Sequence, residues 1–133
     1  MEKFGELLGW VTGVCFAAAV LTYLVKRINK RWILALPKES AARQAYQTGM
    51  KLVVKNHRWF GIAAAAAAAA HLLVQILWNE PSVTGLTAAG LLAATAVLGM
   101  IMLRGRRGKL LNLHRIVAAA AVAVVIVHVI AKG

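Results

Sequence analysis

The chain has 133 residues, 61% of them hydrophobic and 15% charged, and 16 Lys and Arg against 4 Asp and Glu give a formal net charge of +12. A soluble domain of this length has too little interior to hide so much apolar surface. A nucleic-acid-binding domain would match the charge but not the hydrophobicity, so the chain reads as an integral membrane protein with lipid, and no nucleic acid, as its surroundings.

The first apolar stretch covers residues 7–25. Its start is not clearly basic, because Glu2 and Glu6 offset Lys3. It runs into Lys26-Arg27 without a convincing cleavage site, so a retained spanning helix is expected rather than a signal peptide. Gly5, Gly9, Gly13 and Ala17 form a small-xxx-small stripe that suits helix packing or dimerisation as well as contact with a flat cofactor. Cys15 is the only cysteine, which excludes an intrachain disulfide and a CxxCH haem attachment and favours a packing role. Beyond this span, Trp32 to Leu36 carry basic flanks and are expected in the membrane interface. Pro37 interrupts the chain and Ser40 is a candidate helix cap. From there Ala42, Ala45, Tyr46, Gly49, Val53 and His57 keep helical spacing into a second span, 59–78. Pro81, in the connector Asn79-Glu80-Pro81-Ser82, cannot continue that helix. A third span covers 83–103 and a fourth 113–131, with a helix start as early as Leu110. Each approaches the roughly 20 residues that cross a bilayer core, and Trp59 and Trp78 mark span ends, as interfacial aromatics do. The expected fold class is all-α, a single four-helix transmembrane bundle.

Of the 16 basic residues, 14 lie in two segments, 26–58 and 104–115. With four spans these segments share one side. The positive-inside rule makes that side cytoplasmic and places both termini outside, so most of the net charge serves orientation and headgroup contact.

The four histidines repeat one spacing. His57 and His71 are 14 residues apart, as are His114 and His128, and His57 and His114 are each followed by Arg, as Arg58 and Arg115. Fourteen helical residues fall about 40° short of four whole turns, so both members of a pair point to one side, roughly 21 Å apart along the axis. The second and fourth spans run parallel, so His57 can face His114 at the basic end and His71 can face His128 at the other. Two opposed imidazoles are what a six-coordinate b-type haem requires. Taken singly, His57 or His114 would be an ordinary interfacial histidine. His71 and His128 lie within apolar sequence, where an ionisable residue is costly and usually functional. One tetrahedral zinc shell is excluded by the 21 Å separation, about 1.5 Å per residue over the spacing.

Other residues fit around such a pair of haems. The alanines at 63–70 thin the helix between His57 and His71, and Gly85 and Gly99, also 14 apart, would fall near the outer and inner haem. Arg58 and Arg115 suit haem propionates, helped by Lys55, Arg104 or Arg106, although the positive-inside rule alone also explains them. Gln75 has the choice of an outer-haem group or a neighbouring helix.

His57-Arg58-Trp59-Phe60-Gly61 followed by His71, and Leu113-His114-Arg115 followed by His128, resemble the haem-binding core of ferric-reductase-like transmembrane domains. The paired spacing is also similar to that in the cytochrome b subunit of quinol-oxidising complexes. The likeness covers residues 55–131. It implies axial ligation of two haems b by His57 with His114 and His71 with His128, and accommodation of haem by glycines such as Gly85 and Gly99. The additional helices, the flavin and nicotinamide domain and the GxGxxG of ferric reductases are missing. The expected function is therefore transmembrane electron transfer between a separate donor and acceptor, quinone being one candidate, by a chain that could pair as a homodimer. The alternatives are a quinone or metal-ion reductase subunit with its own substrate site, and a cofactor-free structural or transport bundle.

Overall fold

The structure, a computed structural model, describes residues 2–103, 105 and 108–132, apart from the side chains of Glu2 and Lys132. Arg104, Arg106 and Arg107, part of the second basic segment, lie outside the described residues. Four helices follow in chain order: α1 (Glu2–Arg31), α2 (Ala41–Trp78), α3 (Val83–Met102) and α4 (Gly108–Lys132), with a short 3-10 turn, Ile33–Ala35, between α1 and α2. All four are long and apolar enough to cross a membrane, with 18-residue windows of mean hydropathy 1.9 in α1 to α3 and 2.3 in α4. The protein is an all-α bundle of membrane-spanning helices. Helices are the natural solution here, because each satisfies its own backbone polar groups in a medium that offers none.

Two helices exceed their apolar spans. α1 continues to Arg31 and α2 begins at Ala41, so the basic segment between the first two spans is largely helical. Lys and Arg are good helix formers, and nothing between Lys26 and Arg31 breaks the helix. Ser40 does occupy the N-cap position of α2, but its side chain makes no capping bond. Ser82 supplies one for α3, its hydroxyl accepting from the Gly85 N–H at 3.1 Å.

α1 packs antiparallel along α2, α2 packs on α3, and α3 on α4. α2 and α4, the two histidine-bearing helices, make no extensive backbone contact among the described residues. At the basic end, the Tyr46 hydroxyl donates to the Val25 carbonyl at 3.0 Å and ties the start of α2 to the end of α1. Tyr46→Phe should lower stability by about 1 kcal/mol, the usual worth of one net hydrogen bond, read as a lower Tm in detergent.

The central buried cluster lies at mid-height: Phe16 from α1, Ala64 and Ala68 from α2, Leu92 from α3 and Ala121 from α4, with Ala19, Val74 and Ala88 buried outside it. Cys15 packs against its edge. Of the alanines at 63–70, only Ala64 and Ala68, one turn apart, are buried. The helical period carries the others around to other faces. Outward-facing residues such as Leu7, Trp10, Leu73, Val83 and Ile130 are exposed, as expected where the surrounding solvent is hydrocarbon. Three threonines inside the spans turn back on their own helix: the Thr12, Thr87 and Thr95 hydroxyls donate to the carbonyls of Leu8, Val83 and Leu91.

Candidate functional site

The helical repeat places all four histidines on inward faces of α2 and α4, half-buried. His57 and His114 come together at the basic end, with ring centroids 6.4 Å apart and ring planes nearly perpendicular at 82°. His71 and His128 lie 14 residues further along the same two helices, toward the other end.

Each ring is anchored through the same atom. His57 Nδ1 lies 3.0 Å from the Ala19 carbonyl oxygen, His71 Nδ1 2.8 Å from that of Gly5, and His114 Nδ1 3.0 Å from that of Thr95. A carbonyl oxygen only accepts, so in these three rings Nδ1 carries the proton and Nε2 presents its lone pair. His128 differs. Its Nδ1 lies 3.0 Å from Thr84 Oγ1 and 3.4 Å from Ser82 Oγ, and those hydroxyls are 3.3 Å from each other. A hydroxyl can donate or accept, so this partner does not by itself dictate the tautomer.

α1 therefore holds the rings of α2, and α3 holds those of α4. Sequence spacing selects the histidines but gives no sign of these partners, because a backbone carbonyl belongs to any residue. Ser82 and Thr84 carried a faint signal: both are polar, and both stand at the entry of an apolar span beside Gly85.

The glycines make room for the imidazoles. A methyl group on Gly9 would lie 3.4 Å from His71 Cε1, one on Gly99 3.6 Å from His114 Cε1, and one on Gly85 3.1 Å from His128 Cε1 and 3.0 Å from Ser82 Oγ. Gly85 thus packs against Ser82 and His128, and Gly99 against His114. The α1 stripe divides: Gly5 packs near Val74 and Gln75 of α2 and Gly9 against His71, while Gly13 has nothing close to it. Gln75 accordingly faces a neighbouring helix.

The two arginines diverge. The Arg115 guanidinium lies over the Tyr23 ring of α1 at 5.9 Å, and Arg27 donates to the Tyr23 hydroxyl at 3.0 Å. Arg58 lines a groove with Val97, Met100 and Ile101 of α3 and Leu103 just beyond it. Both stay exposed beside the His57 and His114 pair, on different sides of it. Thr22, one turn from Ala19 on α1, is 8% exposed and its hydroxyl has no hydrogen-bond partner.

Among the described residues, no three His, Cys, Asp or Glu side chains gather into one cluster. At the basic end the donor set brought together is two imidazoles, His57 and His114, a set that would fit a haem held by two histidines. His57 and His114, with ring centroids 6.4 Å apart, are the residues that would hold such a group there. The lack of close packing between α2 and α4, and the orphaned Thr22 hydroxyl, fit the same group. No protein-family model, curated protein or solved structure matches the chain.

Proposed function

We propose that the chain is a membrane-embedded electron-transfer protein that holds two haems b, one between His57 and His114 and one between His71 and His128. The observation that carries this reading is the opposition of His57 and His114 at 6.4 Å, with both Nδ1 atoms engaged by backbone carbonyls. Bound haem would supply one-electron iron chemistry at each level. The protein's own contribution is positional. The Ala19, Gly5 and Thr95 carbonyls hold the rings through Nδ1 and leave Nε2 with its lone pair for a metal, as outer-shell partners of ligating histidines do. Arg58 and Arg115 supply positive charge at the basic end, where haem carboxylates would sit. The central layer of Phe16, Leu92 and the core alanines keeps the interior between the two levels dry and apolar.

In this reading the basic segments 26–58 and 104–115 face the cytoplasm, by the positive-inside rule. The two levels are roughly 21 Å apart along the axis, so the pair spans much of the bilayer core. An electron donor on one side and an acceptor on the other, quinone among the candidates, complete the path.

A reduced-minus-oxidised spectrum with haem quantification tests the proposal. Two b-type haems per chain are expected, and a colourless purified protein would refute it. Thr84→Val leaves His128 with Ser82 as its remaining hydroxyl partner at 3.4 Å. Loss of such a partner should weaken haem retention at that level roughly tenfold, measured as faster transfer of one of the two haems to an apo-globin acceptor.

A further inference from the structure

The basic end of the molecule is uneven. Ala41 lies about 24 Å beyond His57 along α2, whereas Gly108 lies only about 9 Å beyond His114 along α4, at about 1.5 Å per residue. With His57 and His114 level, the α1–α2 hairpin stands about 15 Å above the ends of α3 and α4. The headgroup layer on one side of a bilayer is only about 5–7 Å thick. If α3 and α4 end at the edge of the hydrocarbon core, the tip of the hairpin clears the headgroups by about 8 Å, one Debye length at physiological salt.

This projection is built rather than frayed. Tyr46 is bonded to the Val25 carbonyl, and Arg43 Nη1 donates to the Leu36 carbonyl at 2.7 Å and to that of Leu34 at 3.4 Å, closing the tip on the start of α2. Its apex exposes Trp32 (65%), Leu34 and Leu36, with the Arg31 guanidinium over the Trp32 ring at 5.9 Å. Lys30, Arg31 and Lys38 surround them, all exposed, with Glu39 as the one acidic residue nearby. Orientation by charge needs basic residues near the span ends, and headgroup attraction fades within a Debye length. Neither accounts for an apolar, cation-ringed apex held above the membrane. A large aromatic at the centre of a charged rim is the usual make-up of a protein-docking hot spot.

We infer that the hairpin, together with the low floor formed by the ends of α3 and α4, is the docking surface for a soluble protein whose contact face is an apolar patch ringed by carboxylates. Resting on the proposed haem function, this partner is a one-electron carrier. The step of about 15 Å lets a globular partner lean on the hairpin while its base stands about 9 Å above the His114 level. Cations on the wall and Lys109 on the floor steer an acidic partner into that corner, and such steering weakens with salt.

The test uses the haem-loaded protein in nanodiscs of zwitterionic lipid, with a reduced acidic ferredoxin as the probe. Stopped-flow haem reduction should slow steeply with ionic strength, and should fall at least tenfold in the triple variant Lys30→Glu, Arg31→Glu, Lys38→Glu. Reduction by dithionite and haem content should stay unchanged in that variant. An unchanged ferredoxin rate would overturn the docking assignment while leaving the haem reading intact. A second measurement does not depend on haem. A spin label at Ala35→Cys, in a Cys15→Ser background, should be more accessible to a water-soluble nickel chelate than to oxygen. The reverse result would place the apex in the bilayer and overturn the assignment. Protein without haem, but with an exposed label and salt-sensitive ferredoxin binding, would refute the redox reading alone.

Discussion

On the proposed two-haem function, bound haem should fall from two per chain to about one when His71 or His128 is replaced by alanine, because a six-coordinate group needs both imidazoles of its level. The remaining level should survive. It lies roughly 21 Å away along the axis, across the layer of Phe16, Leu92, Ala64 and Ala121. Ala64 stands midway between His57 and His71, and Ala121 midway between His114 and His128. These are the two most buried residues of the core, at 2% and 0% exposure. Double variants test the pairing itself. His71→Ala with His128→Ala removes both ligands of one level and should leave about one haem. His57→Ala with His128→Ala removes the same number of histidines but breaks both levels, and should leave about none that is six-coordinate. Haem per chain by pyridine haemochrome, with the low-spin spectrum as the coordination readout, separates these outcomes. Equal haem content in the two double variants would defeat the pairing.

The second large effect is expected at Gly85. A methyl group there would meet Ser82 Oγ at 3.0 Å and His128 Cε1 at 3.1 Å, both closer than ordinary van der Waals contact. Neither neighbour yields easily. The Ser82 hydroxyl caps α3 through the Gly85 N–H itself, and His128 is held by Thr84. Gly85→Ala should therefore displace the His128 ring and weaken haem retention at that level roughly tenfold, the lower range for disturbed support around a ligating histidine. Gly99→Ala makes the same change one level away, where the nearest atom is His114 Cε1 at 3.6 Å, an ordinary contact. It should keep both haems. Titration of haem into the two apo-variants, followed at the Soret band, distinguishes them. Loss of a haem in Gly99→Ala but not in Gly85→Ala would contradict the packing described for these glycines.

Gly85 and Gly99 show where sequence reasoning ran out. Their 14-residue spacing matches that of the histidines, so on paper they are equivalent. The structure separates them because Gly85 opens α3, where the capping serine doubles back against it, while Gly99 lies within a regular helix. The arginines behave in a similar way. Arg58 and Arg115 both follow a histidine, yet one lines a groove beside α3 and the other lies over Tyr23 of α1. Each helix presents its residues at its own rotation, and adjacency in the chain does not fix the neighbour. The tip at Trp32 to Leu36 is another case. Its composition suits an interface, but the helical continuation of α1 and α2 carries it well beyond the ends of α3 and α4.

By itself, the sequence determined the number of spans, the gathering of basic residues in two segments and the repeated 14-residue spacing of the four histidines. These follow from hydrophobic run length and from the helical period, which are local properties of the chain. Tertiary structure decided which atom anchors each ring, how the glycines differ and how far the first hairpin projects. Those depend on backbone carbonyls and on the lengths of helices brought side by side, and neither has a signature in residue identity. The charge of +12 is divided accordingly: its gathering in two segments was legible in the chain, while its reach, out to the cations around Trp32, depended on two helices being longer than a membrane requires.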